Sequence, residues 1–257
     1  MTTSSLAQIR IVLVEPAGAL NVGSVARVMK NMGLADLVLV NPRCDRLGQE
    51  ARLMAVRAAD VLEAAQEVET LAEALQGCVK AIATSGRDRA TFTTPIEMPC
   101  SALPWLLDAP SALIFGREDS GLTNAEMNYA QRLIQIPSTD AYPSLNLAQA
   151  VAICCYELSS SAIASRSSQA VALSTLSDSH LLPDSSSLHL VPLNDLEGYY
   201  QQLESLLLEI GYLYPTTAPS RMEKFRKLLN RAYPTNSEVA MLRGILRQMS
   251  WALKSRP

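Results

Sequence analysis

Short β-branched apolar runs that alternate with helical stretches constrain this chain more than any other feature. Residues 9–14 read IRIVLV and residues 37–40 read LVLV, each too short for a helix and rich in the branched side chains that suit a strand. Between them, NVGSVARVMKNMG has helical spacing, with Asn21 placed to cap it and Gly33 placed to end it in the left-handed conformation. Three further strand candidates follow at 80–83, 111–115 and 133–136, separated by helix-like stretches such as 71–75. Such alternation predicts an α/β domain in which a mostly parallel sheet is covered by helices on both faces.

Helix starts are marked by two capping boxes, Thr123 with Glu126 and Ser220 with Glu223, in which each residue satisfies the other's free backbone N–H. The stretch 146–158 (NLAQAVAICCYEL) is apolar around most of its circumference, so it belongs in the core or at a subunit interface. From 159 to 187 serine and alanine dominate, a composition too poor in large apolar side chains to fill a core, which reads as a flexible connection. Three helices are expected beyond it, at 193–210 before Gly211, 220–231 and 236–254. The predicted layout is therefore a first domain over residues 1–160, a serine-rich linker over 161–189 and a small all-α module over 190–257.

Net charge is −3, which by itself disfavours a nucleic-acid partner. The average hides an asymmetry, because residues 190–257 carry nine basic and six acidic side chains while residues 1–189 carry thirteen and nineteen. On the second tail helix Arg221, Lys224, Lys227 and Arg231 recur at spacings of three and four, opposite Met222, Phe225 and Leu229. That gives one basic and one apolar face. Cys44, Cys78, Cys100, Cys154 and Cys155 are odd in number and lack metal-ligand spacing, so they read as reduced, and no metal is expected. No apolar run reaches the length of a bilayer span and the first residues do not resemble a signal peptide, which points to the cytoplasm. The only histidines, His180 and His189, fall in the serine-rich stretch, away from any site on the sheet.

Three segments that follow predicted strands carry more small, polar and turn-forming residues than a strand end needs, and ligands of open parallel sheets bind there. The first, residues 21–27 (NVGSVAR), reads as a helix start with a surface arginine, or as a phosphate site made by the helix N–H groups and Arg27. The second, residues 115–126 (FGREDSGLTNAE), lacks both the dinucleotide and the phosphate-loop glycine spacing, yet Gly116 and Gly121 allow close backbone approach to a flat ligand. The third, residues 136–148 (IPSTDAYPSLNLA), offers Ser144 and Asn146 as caps of the apolar helix or as site residues.

In this order the three segments resemble the SPOUT class of RNA methyltransferases. The likeness covers roughly residues 9–158 and is closest to the TrmJ-like tRNA 2′-O-methyltransferases. It rests on Glu15, GSVAR ending at Arg27, Val40-Asn41-Pro42, Thr84-Ser85 with Arg87, FGRE through GLTNAE, and SLNLAQAV. In the tail, Ile210-Gly211-Tyr212 and Leu242-Arg243-Gly244-Ile245-Leu246 extend it. Leu20, Gly86 and Thr139-Asp140 depart from the common pattern.

The resemblance implies a trefoil knot in the C-terminal part of the sheet and a homodimer whose active sites draw on both subunits. S-adenosylmethionine would be held by Thr84, Ser85, Gly86, Gly116, Ile136, Pro143, Ser144 and Leu145. Arg27, Ser144 and Asn146 would serve catalysis, Arg27 clamping a phosphate and polarising the ribose hydroxyl, with a phosphate oxygen or Arg27 itself as proton acceptor. The implied substrate is a pyrimidine ribose at position 32 of the tRNA anticodon loop, with Arg221, Lys224, Lys227 and Arg231, together with Arg27, as RNA contacts. Two alternatives stay open at this point, a ribosomal-RNA 2′-O-methyltransferase and a non-catalytic RNA-binding protein of the same fold.

Overall fold

Apolar strands buried on both faces give the molecule its frame. The computed structural model describes residues 5–86, 95–139, 141–175 and 190–255; Arg87, Asp140, His180, His189 and the 176–189 part of the expected linker lie outside them. In chain order the elements are β1 (Ile9–Val14), α1 (Ala19–Met32), β2 (Asp36–Val40), α2 (Gln49–Ala55), α3 (Ala59–Ala64), β3 (Gln66–Val68), α4 (Leu71–Ala74), β4 (Lys80–Thr84) and β5 (Ile96–Glu97). They continue with α5 (Pro99–Ala102), β6 (Ser111–Phe115), α6 (Asn124–Met127), β7 (Arg132–Ile134), α7 (Leu147–Thr175), α8 (Leu193–Glu209), α9 (Ala218–Ala232) and α10 (Asn236–Lys254). The sheet runs β3-β2-β1-β6-β4-β7-β5 with every pairing parallel.

Ile9, Ile11 and Leu13 of β1 point to one face, with Leu37, Leu39, Ile82, Leu113 and Phe115, beneath α1, α2, α3 and α7. Val12, Val14, Val38, Val40, Ala83 and Ile114 point to the other, against α4, α6 and Leu193 at the start of α8. Two covered faces explain why these strands read as unbroken apolar runs. The five strands expected from sequence are present. β3 and β5 escape such a reading because Gln66-Glu67-Val68 and Ile96-Glu97 are short, polar edge strands without periodicity.

Several helix boundaries differ from expectation. The left-handed Gly33 ends α1, donating back to Met29 and Lys30, but α1 starts at Ala19 with Gly18 in the cap position, so Asn21 is no cap. The Thr123–Glu126 capping box is formed. Ser220 and Glu223 form none, because α9 begins earlier, at Ala218-Pro219, where proline's fixed φ suits the first turn. A box does open α10, at Thr235 and Glu238, and the sequence TNSE carries the same signature.

The largest difference is α7, which runs on to Thr175 through the first half of the stretch read as a linker. Residues 159–175 contain neither glycine nor proline, and alanine propagates a helix once an anchored turn exists. The anchor is the face formed by Val151, Cys154, Cys155, Leu158 and Ala162 in the main core. By length and mean hydropathy, Leu147–Ser165 also meets the requirement of a membrane span, contrary to the sequence reading, although here one face is spent on the sheet. All five cysteines are free; Cys78, Cys154 and Cys155 are small core hydrophobes, burial pushing the thiol of Cys78 up to about 11 and that of Cys155 to about 12, whereas Cys44 is half-buried and Cys100 exposed.

α8, α9 and α10 close around their own core of Leu196, Tyr199, Tyr200, Leu203, Met222, Val239 and Leu246. They sit on the sheet domain through Leu193 N–H, which donates to Cys78 O at 2.9 Å, and through Tyr233, whose ring meets Trp105 edge-on at 5.6 Å.

Gly23 owes its place to packing. A Cβ there would lie 2.1 Å from the carbonyl oxygen of Ala51, so only glycine lets α1 and α2 approach as they do. Gly23→Ala should lower the unfolding free energy by about 1–3 kcal/mol, the usual cost of overpacking; an unchanged denaturant midpoint would contradict this account.

Candidate active site

The loops leaving β4, β6 and β7 converge beyond the C-terminal edge of the sheet, with the segment that leads into α7 closing the far side. Thr84, Ser85 and Gly86 come from the first loop, Gly116 and the turn to Gly121 from the second, Ile136 from the third and Pro143, Ser144 and Leu145 from the α7 approach, and all line a single cleft. Its apolar walls are Phe115, Leu122, Met127 and Leu147. A surface that combines loop backbone with apolar side chains suits a flat, uncharged ring held by hydrogen bonds at its edges.

Local chemistry fixes each loop. A Cβ on Gly116 would lie 2.2 Å from the carbonyl carbon of Gly121, and Gly121 itself has φ of 69°. Both glycines are required by the tight return of this loop. Arg117 fastens it from outside: its guanidinium donates to both carboxylate oxygens of Glu126 (2.8 and 3.0 Å), to Gly121 O (3.3 Å) and to Glu15 at the end of β1. Arg43 pairs with the other oxygen of Glu15. Ser85 N–H donates to Ile134 O at 2.8 Å, and Ser138 Oγ to Pro143 O at 2.9 Å, which hold the other loops.

A second network joins the three motifs. Glu118 Oε1 accepts from Gly18 N–H and from Asn21 Nδ2, both at 3.0 Å, and its Oε2 accepts from Ala17 N–H at 3.1 Å. The Asn21 side-chain carbonyl in turn accepts from Asn146 Nδ2 at 3.0 Å, while Asn146 Oδ1 caps α7 through Ala148 N–H at 2.9 Å. The carboxylate of Glu118 thus takes the N–H groups of Ala17 and Gly18 leading into α1, ahead of the 21–27 segment that one sequence reading had offered to a phosphate. Burial pushes its pKa up, but the donors from Asn21, Ala17 and Gly18 outweigh it, and the net shift is downward. Glu126 behaves alike, burial being outweighed by Arg117 and Thr123, and Glu15 is lowered chiefly by Arg117.

Of the residues assigned to catalysis, Ser144 lines the cleft and Asn146 stands beside it in the network. Arg27 does not join them. It lies on the outer side of α1 with Leu20 and Ser24, exposed, and with no hydrogen-bond or ion-pair partner among the described residues. Sequence reasoning missed the side-chain role of Asn21, the carboxylate of Glu118 and the clamp by Arg117. The available signal was the crowding of Arg117, Glu118 and Asp119 at a strand end between two glycines. On the tail, Lys224, Lys227 and Arg231 face one wall of a separate cleft, and Arg221 lies over the ring of Tyr212 at 5.6 Å. No group of three metal-ligating side chains occurs among the described residues.

Comparison with known proteins gives a consistent result over the whole chain. The family model described as the SpoU rRNA methylase family matches residues 8–156, and that of the tRNA methyltransferase TrmJ C-terminal domain matches residues 194–257. A tRNA (cytidine/uridine-2′-O-)-methyltransferase TrmJ of Cronobacter sakazakii is 38% identical over 98% of this chain and 100% of its own length. A tRNA (cytidine/uridine/adenosine-2′-O-)-methyltransferase TrmJ of Pseudomonas aeruginosa is 40% identical over 94% of this chain and 93% of its own. The crystal structure of TrmJ from Z. mobilis superposes with a TM-score of 0.79 at 30% identity, covering 94% of this chain and 98% of that one.

The lowered carboxylates make the loop network sensitive to acid. Depressed folded-state pKa values mean that their stabilisation is complete above the ordinary value of about 4.3 and is lost as pH falls through the folded values. Glu126→Gln should therefore be less stable than the wild type at neutral pH, and the gap should close on acidification below about pH 4.3. Denaturant unfolding across that range checks this; a gap constant with pH would contradict it.

Proposed function

The chain belongs to the SpoU methylase family, in its TrmJ branch, and from that premise we propose that it methylates the ribose 2′-hydroxyl of a pyrimidine at position 32 of the tRNA anticodon loop, with S-adenosylmethionine as methyl donor. The observation that carries the proposal is the convergence of Thr84–Gly86, Gly116, Ile136 and Pro143–Leu145 on one cleft, with Ser144 and the Asn146–Asn21–Glu118 network at its side. The cleft fits the donor: the apolar walls Phe115, Leu122, Met127 and Leu147 would take a flat ring, backbone groups of the loops would hold its polar edges, and the carboxylate of Glu118 would favour a nearby cation. When bound, the donor supplies an electrophilic methyl group.

The protein's part is to align and activate a poor nucleophile. Ser144 holds the ribose hydroxyl, and Asn146 keeps the start of α7, and with it Ser144, in register with α1. Arg27 clamps the neighbouring phosphate and polarises the hydroxyl; arginine stays protonated in nearly any protein setting and its guanidinium then has no lone pair to accept with, so the proton passes to a phosphate oxygen.

Because Arg27 does not line the cleft of its own chain, a homodimer is part of the proposal, each cleft receiving Arg27 from the second copy. Exposed apolar side chains on α1 and on the helices packed against it support this reading, notably Leu20 on α1, Leu53 and Val56 at α2, and Ile153 and Tyr156 on α7. The trefoil knot and a cytoplasmic site of action complete the proposal, with the basic face of α9 on the tRNA body.

Transfer of labelled methyl to an unmodified tRNA transcript tests the reaction and its site together. Label should appear on a transcript with a normal ribose at position 32 and vanish when that sugar is 2′-deoxy; label on both would move the site elsewhere. Arg27→Ala should abolish transfer with cofactor affinity unchanged, and mixing it with an inactive Ser144→Ala chain should restore activity through mixed dimers. Failure of mixing to restore activity would place Arg27 outside the partner's cleft.

A further inference from the structure

One wall of the donor cleft is not held by the sheet domain alone. Leu122 and Met127, which flank and end the short helix α6, line the cleft, and both are buried. α6 is a single turn, too short to persist on its own hydrogen bonds. At its start the capping box of Thr123 and Glu126 and the clamp by Arg117 fix it. Beyond it Gln131 is fastened to the sheet, accepting from Ala81 N–H at 2.7 Å and donating to Val79 O at 2.9 Å.

Between those two anchors, residues 128–130 are gripped by α9 of the tail. Asn230, buried, donates its amide to Asn128 O at 2.8 Å and to Ala130 O at 3.4 Å, and accepts from the Tyr200 hydroxyl at 3.2 Å, which roots it in the tail's own core. Glu223 accepts from the side-chain amide of Asn128. Arg226 lies over the ring of Tyr129 at 5.1 Å, its guanidinium fixed by Glu197 at 2.5 and 2.7 Å. Glu223, Arg226 and Asn230 stand three and four residues apart, so a single face of α9 holds three consecutive residues next to Met127, and it is not the face that carries Arg221, Lys224 and Arg231. Were α9 to leave, two buried carbonyls would lose their donor, and the turn that carries Met127 would have to rearrange to find water.

We infer that α9 helps to build the methyl-donor site without touching the donor: Asn230, supported by Glu223 and Arg226, is a positioning residue that sets Met127 in the cleft wall, so that docking of the tail and binding of the donor strengthen each other. The inference rests on the donor reading above and deepens it. Coupling between two equilibria is reciprocal, so a donor packed on Met127 in turn tightens α9 on the turn between α6 and β7. The tail is then more than an appendage to a self-sufficient cleft, because the side of α9 turned to the sheet domain acts on the donor.

Titration of Asn230→Ala and Glu223→Ala, each in the full chain, with S-adenosylmethionine and no RNA tests this. The donor Kd should rise about tenfold in the first, within the range usual for coupled sites, and by a smaller factor in the second. The kcat at saturating donor and tRNA should match the wild type. In hydrogen exchange, amides of 122–131 should open faster in both variants while β1 and β6 keep wild-type protection, and donor added to the wild type should slow exchange on α9 as well as around the cleft. Should Asn230→Ala not fold, Glu223→Ala, altered at a partly exposed side chain, carries the same test. An unchanged donor Kd, faster exchange throughout the sheet, or no effect of donor on α9 overturns the inference. Wild-type protein that takes up no donor would defeat the proposed function instead, and exchange at 122–131 in the two variants would still decide whether α9 holds that wall.

Discussion

One hydrogen-bonded chain, Glu118 to Asn21 to Asn146, ties together parts of the sequence that lie roughly a hundred residues apart. Glu118 holds the N–H groups leading into α1, Asn21 reaches from α1, and Asn146 starts α7. Each of these groups would otherwise leave a helix end or a loop amide in search of water. Joined, they set the approach of α7 to the sheet, and the approach of α7 sets where Ser144 stands. The Arg117 clamp does the complementary work on the opposite rim, locking the Gly116–Gly121 turn to β1 and α6. The cleft is therefore shaped by charge-assisted bonds to three carboxylates, Glu118, Glu15 and Glu126, and by an amide pair, while the apolar core beneath supplies the platform.

The platform was legible in the sequence because burial on both faces imposes apolar runs, and IRIVLV, SALIF and the left-handed Gly33 state their roles locally. The membership of the cleft was legible too, through the resemblance, since Thr84, Gly116, Ile136 and Ser144 do line one surface. What escaped was relational. Asn21 looks like a cap because Asn before a helical run usually is one; only the fold brings Glu118 to the N–H groups ahead of α1 and frees the Asn21 side chain to bridge. The run of α7 to Thr175 escaped for a similar reason. Serine and alanine carry no core signal, and the helix continues there because its first turns are anchored elsewhere.

Charge distribution resolves the apparent conflict between an acidic chain and a polyanionic substrate. Carboxylates in the site region are largely committed: Glu15 and Glu126 to Arg117, Glu118 to amides, Glu97 to Arg132, Glu197 to Arg226. A carboxylate paired at contact distance projects little field beyond it, so what an approaching RNA meets is the residue of unpaired cations. Among the described residues those are Arg27 on α1, Arg57 just after α2, Lys224 and Arg231 on α9, and Arg247 and Lys254 on α10. Net charge counts all groups equally, and for that reason it misjudges a site region whose carboxylates are largely paired already.

The position of Arg27 carries the same logic to the reaction. In its own chain it is an exposed arginine without a counter-ion among the described residues, on the helix that also exposes Leu20. An unspent guanidinium beside an apolar surface becomes useful when that surface is covered by a second copy, since burial then strengthens whatever phosphate contact it makes. On the proposed dimer, a lone chain, even with donor bound, would lack the group that orients the ribose. In the proposed arrangement a cleft prepared by Glu118 and Arg117 in one subunit and completed by Arg27 from another would divide positioning from activation, and with no histidine in the first domain the strongly polarising group that its first motif offers is a cation.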